Sequence, residues 1–323
     1  SYVLKQAVGQ ERAATVQHEA AVYRLLHAAA DGPGLRPYLA RLCHHDASSG
    51  ILILEARPGA QNLRDYYALG GRFSPSLAAR LGDALGALHR MPTGARAPTA
   101  RPPWILSLHR CDLNAFRELS SGSVALVRIV QEQAGLGALL DGLRDAWSAR
   151  SFIHNDVRWD NCVAAGRSPT ARKSRLYLVD WELAGLGDPA WDVGSVLAGY
   201  LSLWLMSMSI PPGTAPERLP YLARWPLERM HPALRRFWRS YVLRCGLDAS
   251  EAAALLGRVV GYAAARLMQM AVEQSQDAVE PTAGAILALQ LSQNVLERPG
   301  EAAEGLLGLG VPRPSVPAIA GSR

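Results

Sequence analysis

The chain has 323 residues, of which 49% are hydrophobic and 19% are charged, a balance that excludes a disordered chain and suits one large domain or two lobes. The net charge of +6 is compatible with an anionic ligand such as a nucleotide, and equally with arginines spread over a solvated surface. No basic tract contains interleaved aromatic residues, so a nucleic-acid partner is not expected.

The N-terminal part of the chain predicts a small sheet and one helix. Residues 1–7 predict a short strand that contains Lys5, and lysine is rare in this chain. Apolar residues recur at helical spacing over residues 15–30, and Glu19 lies among them. The continuous apolar run Ile51–Glu55 is typical of a buried strand, and the Arg-Pro-Gly sequence soon after it predicts a hinge.

The rest of the chain is mainly helical by its pattern. Amphipathic or apolar stretches predict helices over residues 76–91, 113–119, 124–133, 136–149 and most of 191–296. A polar loop after Phe152 and Ile153 interrupts them, followed by two short strands at 161–164 and 176–179 that a polar turn connects. The last twenty or so residues are rich in glycine and proline and predict a loose tail.

Two features bear on the compartment of the protein. The most apolar run, residues 196–210, is too short for a membrane helix and ends at two prolines, so it predicts a buried core helix and no membrane partner. The cysteines show neither zinc-site nor disulfide spacing, which favours buried thiols in a reducing cytoplasm. They are Cys43, Cys111, Cys162 and Cys245.

The polar loop carries residues suited to phosphoryl transfer. That reaction needs a carboxylate to orient the attacking hydroxyl and accept its proton, and oxygen ligands for Mg²⁺. Asp156 fits the first task, and Asn161, five residues later, fits the second. Asp180 follows the second short strand and supplies a carboxylate for the metal, because a hairpin would bring it close to Asn161.

These motifs resemble those of the aminoglycoside phosphotransferase and choline kinase group, relatives of the protein kinases. His154, Asp156 and Asn161 match the group's H-x-D-x-x-x-x-N. The sequence Val-Asp-Trp-Glu at 179–182 matches I-D-W-E, and Gly-Asp-Pro-Ala-Trp-Asp-Val-Gly at 187–194 resembles G-D-P-x-x-D-L-A. Their order and spacing imply an ATP-dependent and Mg²⁺-dependent small-molecule kinase.

The resemblance also implies a fold. It is a two-lobed, protein-kinase-like α/β (α+β) fold, with a small β-rich lobe over residues 1–58 and a large, mainly helical lobe over residues 59–323. The large lobe would contain the catalytic loop, the acceptor pocket and the tail after about residue 300. His154 would hold the catalytic loop by hydrogen bonds, and Asp192 would brace it.

The resemblance further implies an ATP site between the lobes. Lys5 would bind the α- and β-phosphates and pair with Glu19 on the following helix. Glu55 and Arg57 lie in the segment that corresponds to the interlobe linker, whose backbone groups would hydrogen-bond the adenine. Whether the nucleotide is ATP or GTP does not follow from these residues.

One part of the family pattern lies outside this sequence. The family's glycine-rich strand-turn-strand precedes the lysine, whereas four residues precede Lys5 here. A lobe without that segment would bind ATP weakly, so the alternative function is a catalytically weak kinase-like module that binds a partner. Phosphorylation of protein side chains is disfavoured, because no Ala-Pro-Glu sequence follows Asp180.

The acceptor is expected to be a small hydroxylated molecule such as an antibiotic or another natural product. Residues 101–150 and 196–300 show no surplus of acidic over basic residues and contain many aromatic ones. This balance favours a neutral, aromatic or nucleoside-like acceptor over a polycationic aminoglycoside. A few carboxylates would still suffice for a cation, and Asp112, Glu118 and Glu182 are the candidates.

Overall fold

The computed structural model describes residues 1–29, 34–92, 94, 97–111, 117, 119–166, 175–211 and 213–310. The strands in these residues are β1 (Tyr2–Gln6), β2 (Leu42–Asp46), β3 (Ile51–Glu55), β4 (Gln61–Asn62), β5 (Ser151–Ile153), β6 (Cys162–Ala165), β7 (Arg175–Leu178) and β8 (Gly185–Gly187). The helices of at least two turns are α1 (Gln10–Ala29), α2 (Leu63–Gly70), α3 (Pro75–His89), α4 (Ser121–Glu132), α5 (Leu136–Asp145), α6 (Pro189–Met206), α7 (His231–Cys245), α8 (Ala249–Gln274) and α9 (Ala283–Glu297).

The N-terminal lobe is a three-stranded antiparallel sheet covered by α1. Strand β3 is central, with β1 and β2 on either side of it. The side chains of Leu52 and Leu54 are buried because β3 has a neighbour on both edges and α1 packs on the sheet. Alternation along a strand places Val3 and Lys5 on the same face of β1, and Val3 pairs with Leu54.

A second three-stranded sheet carries residues that bear on function. Its strand order is β4-β6-β7, all antiparallel, and Val163 of β6 pairs with Tyr177 of β7. A bridge between Leu39 and Leu178 connects the N-terminal lobe to this sheet. Strands β5 and β8 form a separate antiparallel pair, and the loop between β5 and β6 begins at the end of this pair.

The large lobe is a helical assembly built around α6. Every residue of α6 from Ala190 to Leu205 is buried, which confirms the core helix predicted from the apolar run. Helix α8 packs along α6, and α3 packs along α7. The α3–α7 approach needs a glycine, because a Cβ on Gly82 would lie 2.3 Å from the carbonyl oxygen of Phe237. No helix in the described part of the chain is long and apolar enough to cross a membrane.

The structure corrects some of the sequence predictions. None of the four cysteines, all of which lie in the described residues, forms a disulfide bond; only Cys162 is buried and Cys43 is exposed, so the prediction of four buried thiols is wrong. Helix α1 begins five residues before the predicted start, and β2 was not predicted at all. The predicted helix at 113–119, the turn between β6 and β7 and the end of the tail lie wholly or mainly outside the described residues.

Candidate active site

A buried carboxylate on α6 fixes the loop between β5 and β6. Asp192 accepts hydrogen bonds from the backbone N–H of His154 at 2.7 Å and of Asn155 at 2.9 Å, and its Oδ2 lies 3.2 Å from His89 Nε2. Asn155 has a φ of +66°, in the left-handed region that asparagine tolerates better than most residues. The conformation of the β5–β6 loop is therefore set by hydrogen bonds to a carboxylate, Asp192, that is buried from water.

His154 connects this loop to the strand that follows it. The ring is fully buried, its Nε2 lies 2.9 Å from the carbonyl oxygen of Val179, and its Nδ1 lies 3.4 Å from the N–H of Asp156. Donation from Nε2 and acceptance at Nδ1 satisfy both contacts in one neutral tautomer. Both ring nitrogens are thus used by the backbone.

Asp156 and Asn161 face each other across the loop. The Asn161 Nδ2 donates to the Asp156 side chain at 3.0 Å and to its carbonyl oxygen at 2.9 Å. With Nδ2 used in this way, the amide oxygen of Asn161 remains for another ligand. The carbonyl oxygen of Asn161 also accepts the N–H of Val179 at 3.0 Å, which joins the loop to the residue before Asp180.

Lys5 contacts carboxylates from two other parts of the fold. Its Nζ lies 2.7 Å from Glu19 Oε2 and 2.5 Å from Asp180 Oδ1. Burial acts to lower the pKa of Lys5, but the hydrogen bonds to Asp180 and Glu19 outweigh it and raise the pKa above its ordinary value. Asp180 has a φ of +69°, a left-handed conformation of the kind that clusters at functional sites.

An apolar cavity of about 330 Å³ ends at these charged residues. The pair Val3 and Leu54 lines it from the N-terminal sheet, and the pair Val163 and Tyr177 lines it from the second sheet. Its inner polar lining residues are Lys5, Asn161 and Asp180, and Glu55, Ala56 and Arg57 line it from the linker. Glu55 and Arg57 form an ion pair at 3.1 Å.

A second groove lies on the other side of Asp156. It consists of two adjoining cavities of about 190 and 690 Å³, and the residues that line both are Arg64, Trp159, Gly199, Met270 and Gln274. Arg158 and Arg266 line the smaller cavity and contact the Asp156 carboxylate at 3.3 and 3.5 Å. Asp156 therefore contacts Asn161 within its own loop and two arginines that line the second groove.

The site residues predicted from the sequence lie at the two ends of the 330 Å³ cavity, the charged inner end and the linker end. Lys5, Glu19 and Asp180 are in direct contact, and Asn161 lines the same cavity as Lys5 and Asp180. Glu55 and Arg57 lie at the linker end of that cavity. Asp112 and Glu118 lie outside the described residues, whereas Glu182 is half-buried and its pKa is raised by burial and by nearby Asp180.

Sequence reasoning missed Arg266 and Glu273, both on α8. Arg266 is 2% exposed and donates to Glu273 at 3.0 Å as well as contacting Asp156. A charged residue inside the apolar stretch from Val259 to Met268 was the available indication, because buried charges are rare unless they are paired. Asp156, the residue in the loop that Arg266 contacts, is 110 residues away, so sequence spacing could not identify it as the partner.

Replacement of Lys5 should reveal how much the Lys5–Glu19 pair contributes to folding. Glu19 is 1% exposed, so in Lys5→Met its carboxylate is left buried without its cation. We expect the free energy of unfolding to fall by about 1–3 kcal/mol, measured by urea unfolding. The double variant Lys5→Met/Glu19→Gln removes that buried charge and should recover most of the loss; an equal loss in both variants would contradict the account.

A glycine on α6 is required for the shape of the second groove. A Cβ on Gly199 would lie 2.7 Å from Trp159 Nε1, and the indole is confined by Tyr67 and Tyr200. We therefore expect Gly199→Ala to lower the free energy of unfolding by about 1–3 kcal/mol. The matched control is Gly257→Ala on the exposed surface of α8, where a Cβ would meet no described residue beyond the adjacent part of its own helix within 4 Å, and a small gain in stability is expected. Equal stability of the two variants would be the contrary result.

Comparison with known proteins supports the resemblance drawn from the motifs. Residues 1–237 match the model of the APH family, described as a phosphotransferase enzyme family. That range contains the loop with Asp156 and Asn161, Asp180 and the Lys5–Glu19 pair. No curated protein matches the sequence.

Solved structures resemble the fold at low sequence identity. Choline kinase LicA from Streptococcus pneumoniae is 15% identical over 92% of this chain and 85% of its own, with a TM-score of 0.51. A choline/ethanolamine kinase family protein from Mesorhizobium loti is 18% identical over 92% of this chain and 83% of its own, also with a TM-score of 0.51. These matches confirm the two-lobed kinase-like fold.

Proposed function

Because the chain belongs to the APH phosphotransferase enzyme family, we propose that it transfers the γ-phosphate of ATP to a hydroxyl group of a small molecule. The observation that supports this most strongly is the position of Lys5. A single ammonium group contacts Glu19 and Asp180 at the inner end of a cavity that is otherwise mainly apolar. An apolar cavity with a charged end suits a purine ring attached to a polyphosphate.

We assign the cavity to the nucleotide. The purine would lie between the Val3–Leu54 pair and the Val163–Tyr177 pair, with its polar edge toward the linker at Glu55 and Arg57. The phosphates would lie toward Lys5, whose raised pKa keeps it charged at neutral pH. Residues 1–58 would then form the nucleotide-binding lobe and residues 59–323 the catalytic and acceptor-binding lobe.

The donor set at the inner end fits Mg²⁺ that is bound together with a nucleotide. Asp180 offers a carboxylate and Asn161 an amide oxygen, and Mg²⁺ in such sites is held by one or two carboxylates together with substrate phosphates. No cluster of three or more acidic, histidine or cysteine residues able to hold a metal is present among the described residues. Bound Mg²⁺ would neutralise charge on the phosphates.

Asp156 is the proposed base. It lies between the cavity and the second groove, so an acceptor bound in the groove would present its hydroxyl to this carboxylate. The acceptor oxygen forms a bond to the γ-phosphorus while the bond from that phosphorus to the bridging oxygen of ADP breaks. The hydroxyl proton passes to Asp156, and ADP leaves.

The acceptor is proposed to be a hydroxylated small molecule without several positive charges. Asp156 and Glu273, two carboxylates beside the groove, are already paired with Arg266, so they are poorly suited to binding ammonium groups. Antibiotics and other natural products are included as candidates, with resistance, self-resistance or biosynthesis as the corresponding roles. A cytoplasmic location would suit an enzyme that uses ATP.

A screen for acceptor-dependent ADP formation tests the proposal. The panel contains aminoglycosides, nucleoside antibiotics, macrolides and choline-like alcohols, each with Mg²⁺ and ATP and with Asp156→Asn as the inactive control. We expect a nucleoside-type or other uncharged hydroxylated compound to be phosphorylated before any polyamine sugar. Kanamycin-type compounds reacting fastest would overturn the acceptor preference, and no nucleotide binding at all would overturn the phosphotransferase function.

A further inference from the structure

The second groove has more positive than negative side chains. Its arginines are Arg64, Arg158, Arg224 and Arg266. Its carboxylates are Asp65, which is exposed at the edge, and Glu273. The rest of the lining is largely apolar or aromatic, with Trp159, Trp225 and Met270 among its members. An acceptor body that is flat or apolar would fit such a surface.

The carboxylates near the base are already neutralised. Glu273 accepts from Arg266 Nη1 at 3.0 Å and from Gln269 at 2.8 Å. Arg266 and Arg158 both contact Asp156. Next to Asp156, an ammonium group would therefore have to break an existing pair or stay desolvated and unpaired, which costs several kcal/mol.

One arginine of the groove has no acidic partner. Within the described residues, no carboxylate lies at ion-pair distance from Arg224, whose guanidinium lies 5.3 Å from the centre of the Trp225 ring. The side chain is exposed at the wider cavity, so an anion can reach it without displacing another group. A guanidinium stacked on an indole is held in place for bidentate contact with a carboxylate or phosphate.

Two buried polar atoms in the groove also lack a partner. Ser195 Oγ and Trp159 Nε1 have no hydrogen-bond partner within the described part of the chain. Ser195 is 3% exposed and Trp159 is 7% exposed, and both residues line the smaller cavity. Buried polar atoms are rarely left unsatisfied, so small side-chain movements that let acceptor oxygens reach these two atoms would be favourable. They are independent of the arginine charges and lie in the cavity that Arg158 and Arg266 also line.

We propose that the phosphoryl acceptor carries an acidic group, a carboxylate or a phosphate, which Arg224 binds in the wider cavity while the acceptor hydroxyl lies at Asp156. Ser195 and Trp159 would contact oxygen atoms of the acceptor between these two points. The inference rests on the proposed function, because it assumes that the hydroxyl next to Asp156 is the one phosphorylated. It changes the expected substrate from a neutral hydroxylated molecule to an anionic one.

Three probes of one skeleton test the charge preference. They are para-(hydroxymethyl)benzoate, its uncharged amide para-(hydroxymethyl)benzamide, and the cationic para-(aminomethyl)benzyl alcohol. Calorimetry measures their binding to the full chain loaded with Mg²⁺ and a non-hydrolysable ATP analogue. We expect the benzoate to bind about tenfold more tightly than the amide, and the amine most weakly, because a charge-assisted hydrogen bond contributes this much. The preference should weaken as salt is added, since Arg224 is exposed.

Substitution at Arg224 locates the anion site. Arg224→Gln should abolish the preference for the benzoate and leave binding of the amide unchanged. Arg229→Gln is the matched control, because Arg229 is exposed and does not line the groove, and it should retain the preference. The proposal is overturned if the amide or amine binds as tightly as the benzoate, if none of the probes binds, or if the preference survives Arg224→Gln.

The nucleotide titration separates this proposal from the one on which it rests. It is performed first, with the ATP analogue and Mg²⁺ and no acceptor. Binding of the analogue without a preference for the benzoate would contradict the anionic acceptor and leave the phosphotransferase function standing. Absence of analogue binding would contradict both.

Discussion

Asp156→Asn is expected to lower turnover by about 100-fold or more, the usual effect of removing a general base. Asparagine has the same shape, so it can still accept the hydrogen bond from Asn161 Nδ2 that Asp156 accepts at 3.0 Å. It cannot take a proton from the acceptor hydroxyl. The nucleotide affinity should change little, because Asp156 does not line the nucleotide cavity. The measurement is the rate of ADP formation with an accepted substrate.

The fold should survive this substitution. Arg266 keeps its bond to Glu273 at 3.0 Å, and Arg158 is partly exposed to solvent, so neither cation is left buried and unpaired. The matched control is Asp145→Asn at the end of α5, where the carboxylate is 74% exposed and contributes little to stability. Turnover of Asp156→Asn within about tenfold of the unaltered protein would remove Asp156 from the mechanism.

Asp180→Asn is expected to abolish both turnover and the Mg²⁺ dependence of ATP binding. A metal ion contributes several kcal/mol of transition-state stabilisation, so a loss on the order of 10³-fold is expected. Asparagine is the appropriate replacement because Asp180 has a φ of +69°, a conformation that asparagine adopts more readily than alanine does. The substitution thus changes the charge with little added backbone strain.

Calorimetry of ATP with and without Mg²⁺ is the corresponding measurement. In the unaltered protein Mg²⁺ should tighten ATP binding, and in Asp180→Asn the two affinities should be similar. Lys5 keeps its second carboxylate, since Glu19 lies 2.7 Å from its Nζ. An unchanged Mg²⁺ dependence in the variant would place the metal elsewhere and would favour a catalytically weak binding module.

The residues nearest the proposed chemistry could be predicted from the sequence because they lie in short motifs. The loop with Asp156 and Asn161 is one segment, and the hairpin formed by β6 and β7 brings Asp180 to it. The Lys5–Glu19 contact was implied by the family resemblance, and the two side chains lie 2.7 Å apart. Their roles in catalysis remain proposals.

In the N-terminal sheet, β1 and the central β3 were predicted, whereas the polar edge strand β2 was not. Strand β3 was identified because its two neighbours and α1 bury it, so its sequence is a continuous apolar run. Strand β2 has the sequence Leu-Cys-His-His-Asp, lies at the edge of the sheet and has no fully buried residue. A polar edge strand has no alternating pattern, and its pairing with β3 is determined by the tertiary fold.

The second groove could not be predicted, because its residues come from distant parts of the chain. Arg64 follows β4, Gly199 lies on α6, Arg224 lies between α6 and α7, and Met270 lies on α8. Regional charge counts favoured a neutral acceptor, but they do not show which charges face one cavity. The pairing of Glu273 with Arg266, and the lack of a carboxylate partner for Arg224 among the described residues, become visible only when these segments are packed together.

The central claim is that the chain moves a phosphoryl group from ATP to a hydroxyl. Phosphorus NMR of a reaction with Mg²⁺, ATP and an accepted substrate tests it directly. The γ-phosphate ends either in a phosphomonoester or in inorganic phosphate, and these two species have distinct resonances. The account predicts a phosphomonoester resonance that grows in step with ADP and is absent with Asp156→Asn. Formation of ADP with inorganic phosphate alone, or no consumption of ATP with any hydroxylated compound, would contradict it.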